Sequence, residues 1–324
     1  MTRNVYRIGI IGYGTVGKGI VNVLEEQKER IASLVSREIE VEYVLVKDRL
    51  KKREGDLSFV YDWDAFKRSS FDVVFECIVG VEPAVSYATY FLEQGIPVIT
   101  ANKEMFAKKG KALREVASEY GTSIRYEATT GGAIPIIRSI NELLHIQTFT
   151  RIDGIVNGTT NYLVTTLRKE GGDFFEHVKK AQEKGYAEAD PSFDIDGWDA
   201  LFKLRIMCES VFGKSPDKET RIPLGPFVQQ VKPKEGERIR YIASAYFEED
   251  VLHAVIAPKV ILPEHPLFGV DGVTNAIALT TTYSDVLTFT GPGAGSYPTA
   301  SAMVDDWISY VKLVKPVVPA SAGR

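Results

Sequence analysis

The sequence predicts an α/β protein, an N-terminal doubly wound domain on a mostly parallel sheet followed by an α+β domain with a mixed sheet. Three observations carry this reading. A short apolar run ends in a glycine-rich turn that opens into a helix; apolar runs and segments of helical period then alternate to about Tyr126; beyond Pro135 helices give way to long strand-like runs.

The first strand is the run from Val5 to Ile11, and Gly12-Tyr-Gly14-Thr15-Val16-Gly17 follows it. The helical pattern of Val16, Ile20, Val23, Leu24 and Ile31 continues to about Val35. Glycines so spaced allow a tight turn and a close approach of backbone to pyrophosphate, while the helix N-terminus offers free N–H groups to the anion. A glycine turn without a ligand is the plain alternative; the strand before and the helix after favour dinucleotide binding. Strands follow from Val41 to Val46, Val73 to Cys77, Pro97 to Thr100 and Ser123 to Tyr126, with helices from Pro83 to Glu93 and Glu104 to Tyr120. Pro83 suits a first helical turn and Gly95 the left-handed position after a helix end.

The second strand ends at Val46-Lys47-Asp48-Arg49, with Lys51, Lys52 and Arg53 following. An acid stands where an NAD site holds the ribose 2′-hydroxyl, but cations surround it, so a 2′-phosphate is welcome and NADP is favoured over NAD. A solvated charged loop is the competing reading.

From Pro135 a helix runs to about Leu144, then a strand from Gln147 to Val156, helices near 160–169 and 174–184, and a helix from Gly197 to Phe212. Strand-like runs from Arg238 to Phe247, Val251 to Val260 and Ala276 to Thr290 suit a sheet that pairs with a second subunit, and the stretch from Thr299 to Leu313 is a last helix returning to the first domain. The expected division is 1–134 with 297–324 for the dinucleotide, and 135–296 for substrate, catalysis and dimerisation.

A net charge of −4 supplies no basic field for nucleic acid or an anionic membrane, which leaves small molecules as the expected partners. Cys77 and Cys208 have no metal-like spacing, the N-terminus lacks an apolar leader, and no run reaches the ~18 apolar residues of a membrane span. A soluble, cytoplasmic protein is expected, with a frayed tail from Pro316 to Arg324. His145, His177, His253 and His265 are scattered and read as structural or surface residues.

In the helix from Gly197, Asp199 and Lys203 stand four apart on one face, and Arg205 with Glu209 forms a second such pair. Either alone is ordinary surface decoration. Before them, Gly185-Tyr-Ala-Glu188-Ala-Asp190-Pro-Ser-Phe-Asp194-Ile-Asp196 concentrates acids at a helix start, which helix electrostatics also favour.

Five separated motifs resemble the homoserine dehydrogenase family: the Rossmann-type glycine turn, Thr100-Ala-Asn102-Lys103-Glu, Ile155-Val-Asn-Gly-Thr-Thr-Asn-Tyr-Leu163, the Gly185 to Lys203 block, and Gly291-Pro-Gly-Ala-Gly295. They span residues 8–312 in the family's order. The resemblance implies NAD(P)-dependent interconversion of L-homoserine and L-aspartate 4-semialdehyde, in threonine, methionine and isoleucine biosynthesis, by a homodimer. Glu188 and Asp199 would hold the amino group and hydroxyl region of homoserine, with Asp194 in support, and Lys203 would be the proton donor in reduction. Lys103 would lie near nicotinamide and substrate; Thr100 and Asn102 would line the cofactor with Lys47, Arg49 and Ile78, and Gly185 and Gly291 would approach it by backbone. Glu127 with the carbonyls of Thr130, Gly132 and Ile134 matches the family's structural sodium loop, and catalysis needs no metal.

The residue types agree with this chemistry. An ammonium beside the reacting oxygen stabilises the charge that grows on it and then gives up a proton. In the reverse direction Lys203 must first lose its proton, so faster oxidation of homoserine is expected at alkaline pH. The chain ends soon after Leu313, where larger family members carry an ACT-type domain, so feedback through such a domain is not expected. Two other readings stay open: a different two-domain dehydrogenase with a lysine acid, and a regulatory module that binds nucleotide without turnover.

Overall fold

The computed structural model describes residues 5–53 and 56–314. The expected frayed tail lies outside the described residues. The chain forms two compact units, one running to Ala128 and resuming at Gly295, the other comprising Thr129–Ala294.

In the first unit, β1 (Val5–Ile11), β2 (Glu38–Leu45), β3 (Phe59–Val60), β4 (Val73–Glu76), β5 (Val98–Thr100) and β6 (Ile124–Arg125) form one sheet. Their order is β3-β2-β1-β4-β5-β6 and every pairing is parallel. That order reverses beside β1, and the crevice outside the carboxyl ends of strands at such a switch point is where doubly wound folds bind ligands. From Ile8 to Ile11 β1 is buried on both faces, which is why that stretch reads as an apolar run; Ile8 and Ile10 are wholly buried.

The single expected helix to Val35 is two, α1 (Thr15–Glu26) and α2 (Lys28–Val35), parted at Gln27, whose φ −110° and ψ 18° are not helical. The short α3 (Trp63–Lys67) was not foreseen; Asp62 caps it by accepting from the Ala65 N–H at 2.8 Å. Trp63 stacks on Tyr87 of α4 (Ala84–Glu93) with ring centroids 3.9 Å apart. Gly95 takes φ +71° after that helix, as expected. α5 (Lys103–Glu119) crosses from β5 to β6.

The last helix, α12 (Ser296–Val314), packs on α1 and α2. It places Trp307, wholly buried, against Tyr6 and Phe75 at centroid distances of 5.6 and 6.1 Å.

In the second unit α6 (Ile136–Arg138) continues as a π turn over Ser139–Leu143. Then come β7 (Phe149–Ile155), α7 (Gly158–Glu170), α8 (Phe174–Glu183), α9 (Ser192–Ile195) and α10 (Trp198–Phe212). β8 (Lys218–Arg221), α11 (Leu224–Gln230), β9 (Arg238–Glu248), β10 (Val251–Ile261), β11 (Thr274–Thr281) and β12 (Val286–Pro292) follow. The sheet order is β12-β11-β7-β9-β10-β8, antiparallel except for β10 with β8, so it is mixed as expected. The run expected from Ala276 to Thr290 is a hairpin: Asp285 adopts φ +49° and the Thr281 N–H donates to its carbonyl at 2.7 Å. α7 and α10 pack on the sheet and carry the charged residues described next. Among the described residues no helix is long and apolar enough to cross a membrane.

Candidate active site

Each unit presents one cluster of functional side chains. In the second unit, α10 starts at Gly197, whose φ of +81° suits glycine and where a Cβ would fall 2.5 Å from the Tyr241 hydroxyl. Asp199 in the first turn and Lys203 one turn on both point inward, only 2% and 8% exposed. Their side chains meet at 2.8 Å, and the Lys203 ammonium also donates to the Val156 carbonyl, just past β7, at 2.6 Å. This is a buried pair, unlike the solvated one that helical spacing alone suggests. Of the other pair foreseen on this helix, Arg205 forks onto Glu219 of β8 at 2.6 and 2.5 Å.

Asn157 joins the two acids. Its side-chain oxygen caps α7 by accepting from the Thr160 N–H at 2.9 Å, which leaves Nδ2 to donate to Asp194 Oδ1 at 2.7 Å and to Asp199 Oδ2 at 2.9 Å. The Thr159 hydroxyl lies 2.9 Å from Asp194 Oδ2 and 2.7 Å from the Tyr186 carbonyl. Burial, and next the charge of Asp199, push the Asp194 carboxyl above its ordinary value, while Asn157, Thr159 and Lys203 pull it back. Two acids and one lysine, mostly out of water, leave an excess of negative charge suited to a ligand's ammonium group.

Glu188 lies exposed in the loop after α8, where its carbonyl accepts from Gln182, so the structure does not bring it into the buried network. Gly185, in the same loop, has φ +73° and open space where a Cβ would be. Gly291, near the end of β12, would bring a Cβ to 3.2 Å from Ile134. Thr130 and Ile134 are buried, and Gly132, at φ +60°, packs so closely on Gly293 that a Cβ would lie 2.6 Å from its carbonyl carbon.

In the first unit the glycine turn has the shape a dinucleotide needs. Gly12 takes φ +100°, and a Cβ on Gly17 would lie 2.2 Å from the Gly12 carbonyl oxygen, so helix and turn touch backbone to backbone. A Cβ on Gly14 would meet nothing within 4 Å, and no side chain caps α1 there, which leaves the helix N-terminus open to an anion. Thr15 and Val16 form its first turn.

At the end of β2, Lys47 and Arg49 are exposed. Asp48 turns into its own loop, Oδ1 accepting from the Leu50 and Lys51 N–H groups at 2.8 and 3.3 Å. Past β4 and β5 lie Ile78 and the segment Thr100 to Lys103, with Lys103 the first residue of α5 and Asn102 its cap. Glu127 is wholly buried, and its N–H donates to Asp306 of α12 at 2.8 Å.

Sequence reasoning assigned no role to Asn157, Thr159 or Glu76. The first two stood inside a motif already singled out. Glu76 was visible as the one acid in the apolar run from Val73 to Cys77.

A family profile described as homoserine dehydrogenase matches residues 135–308, and one described as its NAD-binding domain matches residues 12–127. The homoserine dehydrogenase of Bacillus subtilis is 35% identical over 94% of this chain and 73% of its own length. That of Lactococcus lactis is 33% identical over 95% of this chain and 74% of its own length. A crystal structure of a homoserine dehydrogenase from Thiobacillus denitrificans superposes with TM-score 0.89 at 32% identity, covering 96% of this chain and 74% of that one. A hyperthermophilic archaeal homoserine dehydrogenase in complex with NADPH gives TM-score 0.82 at 25% identity over 96% and 99%. With both profiles and these relatives laid over a dinucleotide turn and a buried acid–lysine network, the chain belongs to the homoserine dehydrogenase family, NAD(P)-dependent oxidoreductases of amino-acid biosynthesis that interconvert L-homoserine and L-aspartate 4-semialdehyde.

Proposed function

We propose that Lys203 is the acid of this reaction and that Asp199, Asp194 and Asn157 hold it and the substrate in place. The observation that carries this is the buried contact of 2.8 Å between Lys203 and Asp199. A lysine so held faces growing negative charge from a site where water screens little. The nicotinamide, when bound, supplies the reducing equivalent to the aldehyde or takes it from the alcohol. During reduction Lys203 stabilises the alkoxide and passes its proton to that oxygen; during oxidation it must first be deprotonated, which Asp199 opposes. Asp199 and Glu188 take the amino group and hydroxyl region of homoserine, and Asp194 adds to the negative field. Initial rates of homoserine oxidation are expected to climb with pH; a rate indifferent to pH would count against Lys203.

Gly12, Gly14, Thr15, Val16 and Gly17 hold the pyrophosphate, Thr100, Asn102, Ile78 and Lys103 line the nicotinamide end, and Gly185 and Gly291 approach by backbone. NADP is the preferred cofactor, because Asp48 spends an oxygen on its own loop while Lys47 and Arg49 stay exposed. Charge reversal at Arg49 is expected to lower kcat/KM for NADP and spare that for NAD; equal losses would refute the preference.

By the family's pattern, Glu127 and the carbonyls of Thr130, Gly132 and Ile134 would supply hard oxygens to a sodium ion with a structural role. Sodium should then raise the melting temperature more than lithium at equal concentration. The enzyme works as a homodimer through the second unit's sheet, to be checked by light scattering. It acts in the cytoplasm, where the free thiols of Cys77 and Cys208 fit a reducing environment, in threonine, methionine and isoleucine biosynthesis.

A further inference from the structure

Glu76 closes β4 and is wholly buried. Its side-chain bonds come from neutral donors: Oε1 accepts from the Ile78 N–H at 2.9 Å, Oε2 from the Thr100 hydroxyl at 2.5 Å, and the Asn102 side chain also hydrogen-bonds the carboxyl. An apolar side chain of similar size would fill the position without the cost of taking a carboxyl out of water, so packing does not account for it. Its partners do. Ile78 belongs to the loop after β4 and Thr100 ends β5, and the Ala101 N–H donates to the Glu76 carbonyl at 3.1 Å. From Thr100 the chain of bonds continues: its hydroxyl oxygen accepts from the Asn102 N–H at 2.9 Å, and Asn102 Nδ2 donates to the Gly80 carbonyl at 2.7 Å. Asn102 Oδ1 accepts from the Met105 N–H at 3.0 Å and so caps the helix that Lys103 begins. One carboxyl therefore ties together two loops at the carboxyl edge of the parallel sheet, the edge where such folds bind ligands.

We infer that Glu76 is a positioning residue: through Thr100 and Asn102 it fixes the loops after β4 and β5, and with them Lys103, for the nicotinamide end of the cofactor. The inference rests on the placement of the nicotinamide at that edge. Glu76→Gln keeps the volume but cannot accept from both Ile78 and Thr100, and Thr100→Val cuts the same chain one link later.

The test is equilibrium binding of NADP and NAD to the unmodified chain and to both variants, alongside KM for homoserine and unfolding without ligand. Dissociation constants for the dinucleotide are expected to rise about tenfold in Glu76→Gln, the scale of one lost charge-assisted hydrogen bond, with KM for homoserine changed less than about threefold. The double variant should lose no more than the worse single one, because both cut one chain. Unchanged dinucleotide affinity in Glu76→Gln, or losses that multiply in the double variant, overturns the inference while leaving the cofactor assignment intact. An unmodified chain that binds neither dinucleotide overturns both. If Glu76→Gln does not fold, Thr100→Val carries the test, with the same tenfold rise expected and unchanged affinity overturning the inference.

Discussion

Replacing Asn157 by aspartate probes the electrostatics of the candidate site through stability alone. The cap on α7 survives, since aspartate caps as well as asparagine. The donor does not: an oxygen now lies where Nδ2 sat, 2.7 Å from Asp194 Oδ1 and 2.9 Å from Asp199 Oδ2. Two amide-to-carboxylate bonds disappear, a loss of about 3 to 6 kcal/mol at about 1.5 to 3 each. A further carboxylate then joins Asp194, already raised by burial and by Asp199. Close like charges make the group keep a proton in the folded state, so its folded pKa stands above its unfolded one. The stability tied to that proton is fully present below the unfolded value and is lost as pH rises through the folded one. Each pH unit is worth about 1.4 kcal/mol, so the deficit should widen by up to ~4 kcal/mol between about pH 5 and about pH 8. Asn157→Ala loses the bonds and about 1 kcal/mol of cap but adds no charge, so its deficit should change less with pH. Urea unfolding of the three proteins across that range is the assay. An aspartate variant whose deficit is constant, or shrinks as pH rises, would refute this account of the network.

Lys203→Ala is expected to lower turnover in both directions by about a thousandfold while dinucleotide binding stays within a few-fold, as loss of a positioned acid requires; steady-state rates and fluorescence binding report the two. In Gly17→Ala the added Cβ meets the Gly12 carbonyl oxygen at 2.2 Å, so the turn must open. Dinucleotide affinity should fall by at least about tenfold, with homoserine KM at saturating cofactor little changed. Burial raises the Glu76 carboxyl from 4.5 to about 7, so its contribution to stability is whole below 4.5 and lost as pH rises through about 7. Thermal unfolding of Glu76→Gln should lack that component, and identical pH profiles for the two proteins would sink the assignment.

The parallel sheet was legible because its buried stretches, Ile8 to Ile11 and Val73 to Phe75, are written as apolar runs, and the glycine turn because few other residues can take its conformations. Short or charged elements were not. β8 reads Lys218-Glu-Thr-Arg221, with no apolar pattern, because it lies at a sheet edge against β10 alone. The β11–β12 hairpin was hidden because Thr281, Thr282 and Tyr283 look like strand; only Ser284 and Asp285 signal the turn. In the site, helical spacing put Asp199 beside Lys203 but said nothing of burial, which the packing of α7 and α10 decides. Asn157 as a bridge between acids 37 and 42 residues away is a tertiary fact that no local pattern encodes.

The return of α12 bears on how the protein is made. Trp307 fills the space between Tyr6 and Phe75, so β1 and β4 wait for a helix made after the whole second unit before their core is whole. The second unit, contiguous from Thr129 to Ala294, has all its strands available before that moment. The order of closure can therefore invert the order of synthesis: the later unit can close first, while the β1–β6 sheet still lacks its covering helix.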